Sequence, residues 1–96
     1  LSAFRLTPKA QKDLDGIWEY SVEQWGAARA ERYIRRLKAV LERVAARPES
    51  AKACEDIRPG YRRASAGSHI IFFKVGEDYV EIVRILHAQM DFARRL

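Results

Sequence analysis

The chain has 96 residues, of which 48% are hydrophobic and 32% charged, with a formal net charge of +5. This length suits one domain, residues 1–96, with a single modest core, and the composition excludes a disordered chain. No run approaches the ~20 apolar residues of a membrane span and the first residues do not resemble a signal peptide, so a cytoplasmic protein with no membrane partner is expected, its basic balance favouring an acidic protein segment or nucleic acid.

Ala3 to Leu6 reads as a short strand, ended by Thr7-Pro8. Threonine caps a helix and proline suits its first turn, so a helix is predicted from Pro8 to Trp25, with Leu14, Ile17, Trp18, Val22 and Trp25 on one buried stripe. Gly26 supplies the residue that ends it. A second helix is predicted from about Ala27 to Ala46, burying Ala30, Tyr33, Ile34, Leu37, Val40, Leu41 and Val44, and Arg47-Pro48 stops it. Two long helices with so tight a join make an αα-hairpin.

The second helix is strongly basic: Arg29, Arg32, Arg35, Arg36, Lys38, Arg43 and Arg47 stand against Glu31 and Glu42. Such a face either grips phosphates or is an ordinary solvated surface. Glu49 to Glu55 reads as a loop. The one cysteine, Cys54, excludes an internal disulfide and has no histidine beside it, so it reads as an incidental loop thiol.

From Ile57 to His87 three runs rich in β-branched and aromatic residues are broken by Ala66-Gly67 and by Gly76-Glu77-Asp78, the pattern of consecutive hairpins. The tail after His87 is short and amphipathic, enough for one or two helical turns. The predicted class is α+β in the order β-α-α-β-β-β, an αα-hairpin packed on one face of a small mixed or antiparallel sheet.

Both parities of the last two strands are largely apolar, and two helices bury only one face of a sheet. Simple alternation puts Ile70, Phe72, Ile82, Arg84 and Leu86 on the second face, which then needs a partner or the tail, through Met90 and Phe92, to cover it; a partner is expected.

For catalysis the residues offer little. His69 and His87 sit at strand ends, and Asp91 is the nearest orienting carboxylate for His87, a pair that serves equally to pin the tail to the last strand. Ser65 and Ser68 are turn serines. There is no Gly-rich phosphate loop and no metal-ligand cluster. No catalytic residue, metal or cofactor is predicted.

Leu6-Thr7-Pro8, Asp13-Leu14, Ile17-Trp18, Tyr20, Trp25-Gly26, Tyr33, Asp56-Ile57-Arg58-Pro59-Gly60-Tyr61-Arg62-Arg63, Gly67-Ser68-His69 and Arg84-Ile85-Leu86-His87 with Met90-Asp91 together resemble the ParE-type toxins of the RelE/ParE superfamily, over nearly the whole chain. The resemblance implies the same element order and an intracellular toxin neutralised by a ParD-like antitoxin. The antitoxin's DNA-binding part represses the shared operon, so operator DNA is met only indirectly. It also implies DNA gyrase as the target, trapped on cleaved DNA, with no cofactor.

The alternative within the superfamily is a RelE-like ribonuclease that cuts mRNA on the ribosome. This chain departs from that pattern: the second-strand arginine of those nucleases falls on Ile70, the one after the last strand falls on Ala88, and the tail has no tyrosine. Arg62, Arg63 and Arg84 remain, without an acid–base pair.

The antitoxin is therefore expected on Ile70, Phe72, Ile82, Arg84, Leu86 and Met90, and the target on Arg62, Arg63, Arg94 and Arg95. Apolar burial should supply most of the antitoxin's affinity and charge its rate of association.

Overall fold

Thr7 and Pro8 open the first helix as their chemistry requires. The computed structural model describes residues 3–96, in the order β1 (Phe4–Leu6), α1 (Pro8–Trp25), α2 (Ala27–Ala46), a 3₁₀ turn (Pro48–Ser50), β2 (Lys52–Ala53), β3 (Tyr61–Ala66), β4 (His69–Val75), β5 (Val80–His87) and α3 (Phe92–Arg95). Thr7 Oγ1 accepts the Ala10 N–H at 3.0 Å and donates to the Val83 carbonyl at 2.8 Å, so the cap also ties α1 to β5. Gly26 has φ +87°; its N–H donates to the Val22 carbonyl and its own carbonyl accepts from Ala30, so one residue ends α1 and begins α2.

The strands lie in the order β1-β5-β4-β3-β2, with β1 parallel to β5 and every other pair antiparallel. The predicted order is found, with one addition: inside the expected loop, Lys52 and Ala53 pair with Arg63 and Arg62 as a two-residue edge strand.

The helices cover one face. α2 buries Ala30, Leu37, Val40, Leu41, Val44 and Ala45, close to the expected stripe. On α1 the seam is narrower, and runs through Ala10, Leu14, Ile17 and Ser21. Trp18 and Trp25, expected in the core, are 39% and 42% exposed. Small residues at positions 10 and 21 bring α1 close to its neighbours along one line, which leaves the bulky rings on its flanks.

Alternation along β5 breaks at Val83. Phe72 pairs with Arg84 and Phe73 with Ile82, so Val83 is an extra residue, a bulge that reverses which face the following residues occupy. Val80, Ile82 and Ile85 therefore all point to the helices, with Ile71 and Phe73. Ile82 accordingly does not share a face with Phe72 and offers nothing to a partner there; it is fully buried under the helical hairpin.

The second face is not open. Phe72, Leu86 and Cys54 are buried there, with Ile57, Tyr61, Ile70, Phe92 and Leu96 packed around them. The Phe92 ring meets Phe72 edge-on, with centroids 4.8 Å apart. Arg84 donates to the Arg95 carbonyl at 2.9 Å and Arg58 to the Leu96 carbonyl, fixing the tail in place.

The expected need for a second polypeptide on this face is thus corrected: the chain's own tail and the Cys54 to Tyr61 segment cover it. Phe92 and Leu96 are half-buried, so each gains part of the ~1.5–3 kcal/mol that full burial of a large apolar side chain is worth, and the two arginine bonds to the tail carbonyls add to it. Met90 takes no part and is 40% exposed. Cys54 is a core residue of this layer, and burial pushes its thiol up despite the opposing charge of Arg63.

Candidate functional site

At the other end of β5 the sheet edge is sealed by side chains. β1 covers only Val80 to Ile82, and beyond it Thr7 takes the Val83 carbonyl while Asp13, on α1, accepts the Ile85 N–H at 3.0 Å. The same carboxylate grips Arg84 with two bonds, Nε at 2.7 Å and Nη2 at 2.8 Å, in a pair whose side chains are each 15% exposed. The bond to Asp13 raises the Arg84 pKa, so the guanidinium stays charged. Arg84 is held from both sides, by Asp13 and by the tail, and is a strut between layers rather than a free contact residue.

Next to this strut a groove of about 550 Å³ opens between α1 and the ends of β4 and β5. Its rim carries Tyr20, Trp25 and Met90, three of the large hydrophobic side chains that stay exposed, and Lys12 and His87 add polar groups. Ile17 and Ile85 form the apolar part of the floor.

One wall is a hydrogen-bonded chain. The Ser68 N–H donates to the Tyr33 hydroxyl at 2.9 Å, and that hydroxyl lies 2.6 Å from His69 Nδ1, to which it donates in the neutral tautomer that carries its proton on Nε2. The His69 and His87 rings stand edge to face at 5.4 Å. Burial, and then the neighbouring His87, lower the His69 pKa, against a smaller pull from Asp13.

A histidine lowered on folding contributes stability above its unfolded value, and that contribution is lost as pH falls below it. Stability should therefore drop as pH is lowered through about 6.5, and chemical denaturation at several pH values should show the drop diminished in His69→Gln.

Gly67 has φ +59° and opens the two-residue turn between β3 and β4, where a Cβ would lie 2.6 Å from Tyr33 Cε1 and 2.8 Å from its oxygen. Alanine at Gly67 should cost ~1–2 kcal/mol from the backbone alone and more because Tyr33 must leave His69. Thermal melts of Gly67→Ala and Tyr33→Phe, singly and combined, check this; a shared cause makes the effects less than additive.

The expected sites are thus scattered. Phe72, Ile82 and Leu86 are buried, Ile70 is half-buried beside the tail, and Met90 is on the groove rim. Arg62 and Arg63 lie on opposite faces of β3, with Arg62 bonded to the Ala51 carbonyl at 2.9 Å, and Arg94 and Arg95 are exposed on α3. The expected bond between His87 and Asp91 does not form; His87 Nδ1 accepts the Gln89 N–H at 3.2 Å instead, because the turn after β5 folds back at once.

The residues that build the groove were visible only as parts of other patterns. Tyr20 and Trp25 read as helix residues, and Asp13 had no partner until β5 was placed beside α1. Among the described residues no cluster of His, Cys, Asp and Glu suits a metal, and no helix is long and apolar enough to cross a membrane.

The fold is one found in toxin–antitoxin systems. A chain from the chromosomal ParDE TA system of P. aeruginosa superposes with a TM-score of 0.79, covering 91% of this chain and 96% of that one at 20% identity. The family model for the ParE toxin of type II toxin-antitoxin system, parDE, matches residues 4–92. Toxin ParE1 of Mycobacterium tuberculosis H37Rv is 46% identical over 96 residues, 99% of this chain and 98% of the relative. Toxin ParE1 of Caulobacter vibrioides is 43% identical, covering 95% and 94%, and Toxin ParE of Escherichia coli 37% identical, covering 100% and 94%. The chain belongs to the ParE family, the toxins of type II toxin–antitoxin systems.

Proposed function

We propose that this toxin is held inactive by a ParD-like antitoxin and, when free, inhibits DNA gyrase by protein–protein contact, with no step of covalent chemistry of its own. The observation that carries the reading is where unmet apolar surface lies. With the second sheet face closed, Tyr20, Trp25 and Met90 converge on one groove, the arrangement of an interaction hot spot. Of the expected anchors, Met90 lies in this groove, whereas Ile70 and Arg84 are available only at the margin of the tail.

The antitoxin's seat is this groove, entered by an amphipathic helix and not by a strand added to β5, since Thr7 and Asp13 already occupy the β5 edge at Val83 and Ile85. Trp25→Ala combined with Met90→Asp should weaken binding of the cognate antitoxin by at least about 2 kcal/mol, roughly 30-fold. Calorimetry with purified antitoxin checks it, and Glu19→Ala on the exposed flank of α1 is the control.

For the target, the exposed Arg94 and Arg95 are the tail's free charges. Replacing both by alanine leaves Phe92 and Leu96 in place, and should reduce inhibition in a supercoiling assay with purified gyrase. Deleting Met90 to Leu96 is a poorer test, because it uncovers Phe72. Full inhibition by the doubly substituted toxin would remove the tail from the contact. No inhibition by the parent toxin, beside cleavage in a ribosome-dependent mRNA assay, would replace gyrase by the ribosome.

A further inference from the structure

The charges of α2 are sorted by side. An α-helix turns about 100° per residue, which places Arg29, Arg32, Arg36 and Arg43 within an arc of roughly 60° on one flank of the buried stripe. Glu31, Arg35, Lys38 and Glu42 fall together on the other flank, where the charges balance and Arg35 pairs with Glu31. A merely solvated helix has no reason to separate its charges in this way. All four arginines of the first flank are exposed, and among the described residues none has a carboxylate within ion-pair distance.

The row ends at a second groove, of about 550 Å³, where Arg29, Arg32 and Arg36 face the β3–β4 turn at Ser68. The exposed Trp25 ring stands at its edge with the Arg29 guanidinium 5.0 Å from its centre. Arginine forks match phosphate oxygens two at a time, and an aromatic ring beside them offers a flat apolar surface to the sugars of the same strand. From Arg29 to Arg36 the row covers about 10 Å of helix axis, against about 3.4 Å of axis per phosphate on one DNA strand.

We propose that this flank of α2 binds the sugar–phosphate backbone of DNA directly, with Arg29, Arg32 and Arg36 on neighbouring phosphates, Arg43 about 10 Å further along the helix on a more distant one, and Trp25 at the end of the track. An acidic peptide would be served by the arginines alone; the neighbouring Trp25 favours nucleic acid. The binding does not depend on the gyrase reading. Its use does: a toxin seated on gyrase would hold the enzyme's DNA as well as the enzyme.

The test uses the full chain, without gyrase, and a labelled duplex of random sequence followed by fluorescence anisotropy between about 50 and 200 mM salt. Affinity should fall steeply with salt, and Arg32→Ala/Arg36→Ala should weaken binding about tenfold and flatten the log–log slope by about 1.8, near 0.9 for each lost phosphate contact. Arg35→Ala/Lys38→Ala removes the same charge from the other flank and should change the slope little. Circular dichroism confirms that both variants are folded.

Equal losses in the two variants, no binding of the parent chain at the lowest salt, or displacement by a glutamate peptide as effective as unlabelled duplex at equal charge would each overturn the proposal. A failure of gyrase inhibition would leave it standing, and a failure of DNA binding would leave the gyrase reading standing, so the two are separable.

Discussion

Alanine at Phe72 should cost about 3–5 kcal/mol, because it empties the centre of the second layer and removes the ring against which Phe92 packs. The loss should show in urea denaturation as a lower midpoint. It should be accompanied by release of the tail, since Phe92 and Leu96 would then have less to bury than their ordering costs. Limited proteolysis after Arg94 or Arg95 should be much faster in Phe72→Ala than in the parent chain. A variant with lowered stability but a protected tail would show that Arg58 and Arg84 hold the last residues without the apolar contact. Because the side chain is buried, Phe72→Asp measures unfolding and not partner affinity, and Met90 takes its place as the residue to change at the interface.

The second large effect is expected at Asp13. Its loss removes two bonds to Arg84 and one to the Ile85 N–H. Asp13→Ala should destabilise by about 3 kcal/mol, most of it from a guanidinium and a strand N–H left without an acceptor. If the stranded charge is the main cost, adding Arg84→Met to Asp13→Ala should recover part of the stability, and a double-mutant cycle isolates that coupling. Additive losses would mean that water replaces the carboxylate at little cost, as it does for exposed pairs.

The elements themselves were legible because local chemistry dictates them. Thr7-Pro8, Gly26 and Arg47-Pro48 punctuate the helices where the spacing of apolar residues also starts and stops, and the break read at Ala66-Gly67 falls one residue before the hairpin turn, Gly67-Ser68. The sides of those elements were harder to read. Alternation assumes a regular strand, and one extra residue at Val83 moved Ile82 across the sheet. On α1, residue size misled: Trp18 and Trp25 looked like core and are exposed, whereas Ala10 and Ser21 are buried because they are small enough for close approach. The Asp13 to Arg84 strut joins positions 71 residues apart, and no local pattern signals such a pair.

The end of the chain departs furthest from what its pattern predicts. An apolar sheet face, two helices and a tail of a few residues suggested a deficit of cover, yet Phe92 and Leu96 supply what was missing with help from Ile57 and Tyr61. The sequence predicts no catalytic set and offers no other functional chemistry by local pattern; a rimmed groove and a one-sided row of arginines became visible only once α1, α2 and β5 were in place.

Since the last residues close the molecule's underside, the second sheet face carries no raw seam when the chain stands alone. Removing whatever covers the α1 groove would leave that layer finished and not half-built, because no residue of the groove is needed to close it. That closure is written into two side chains, Phe92 of α3 and Leu96.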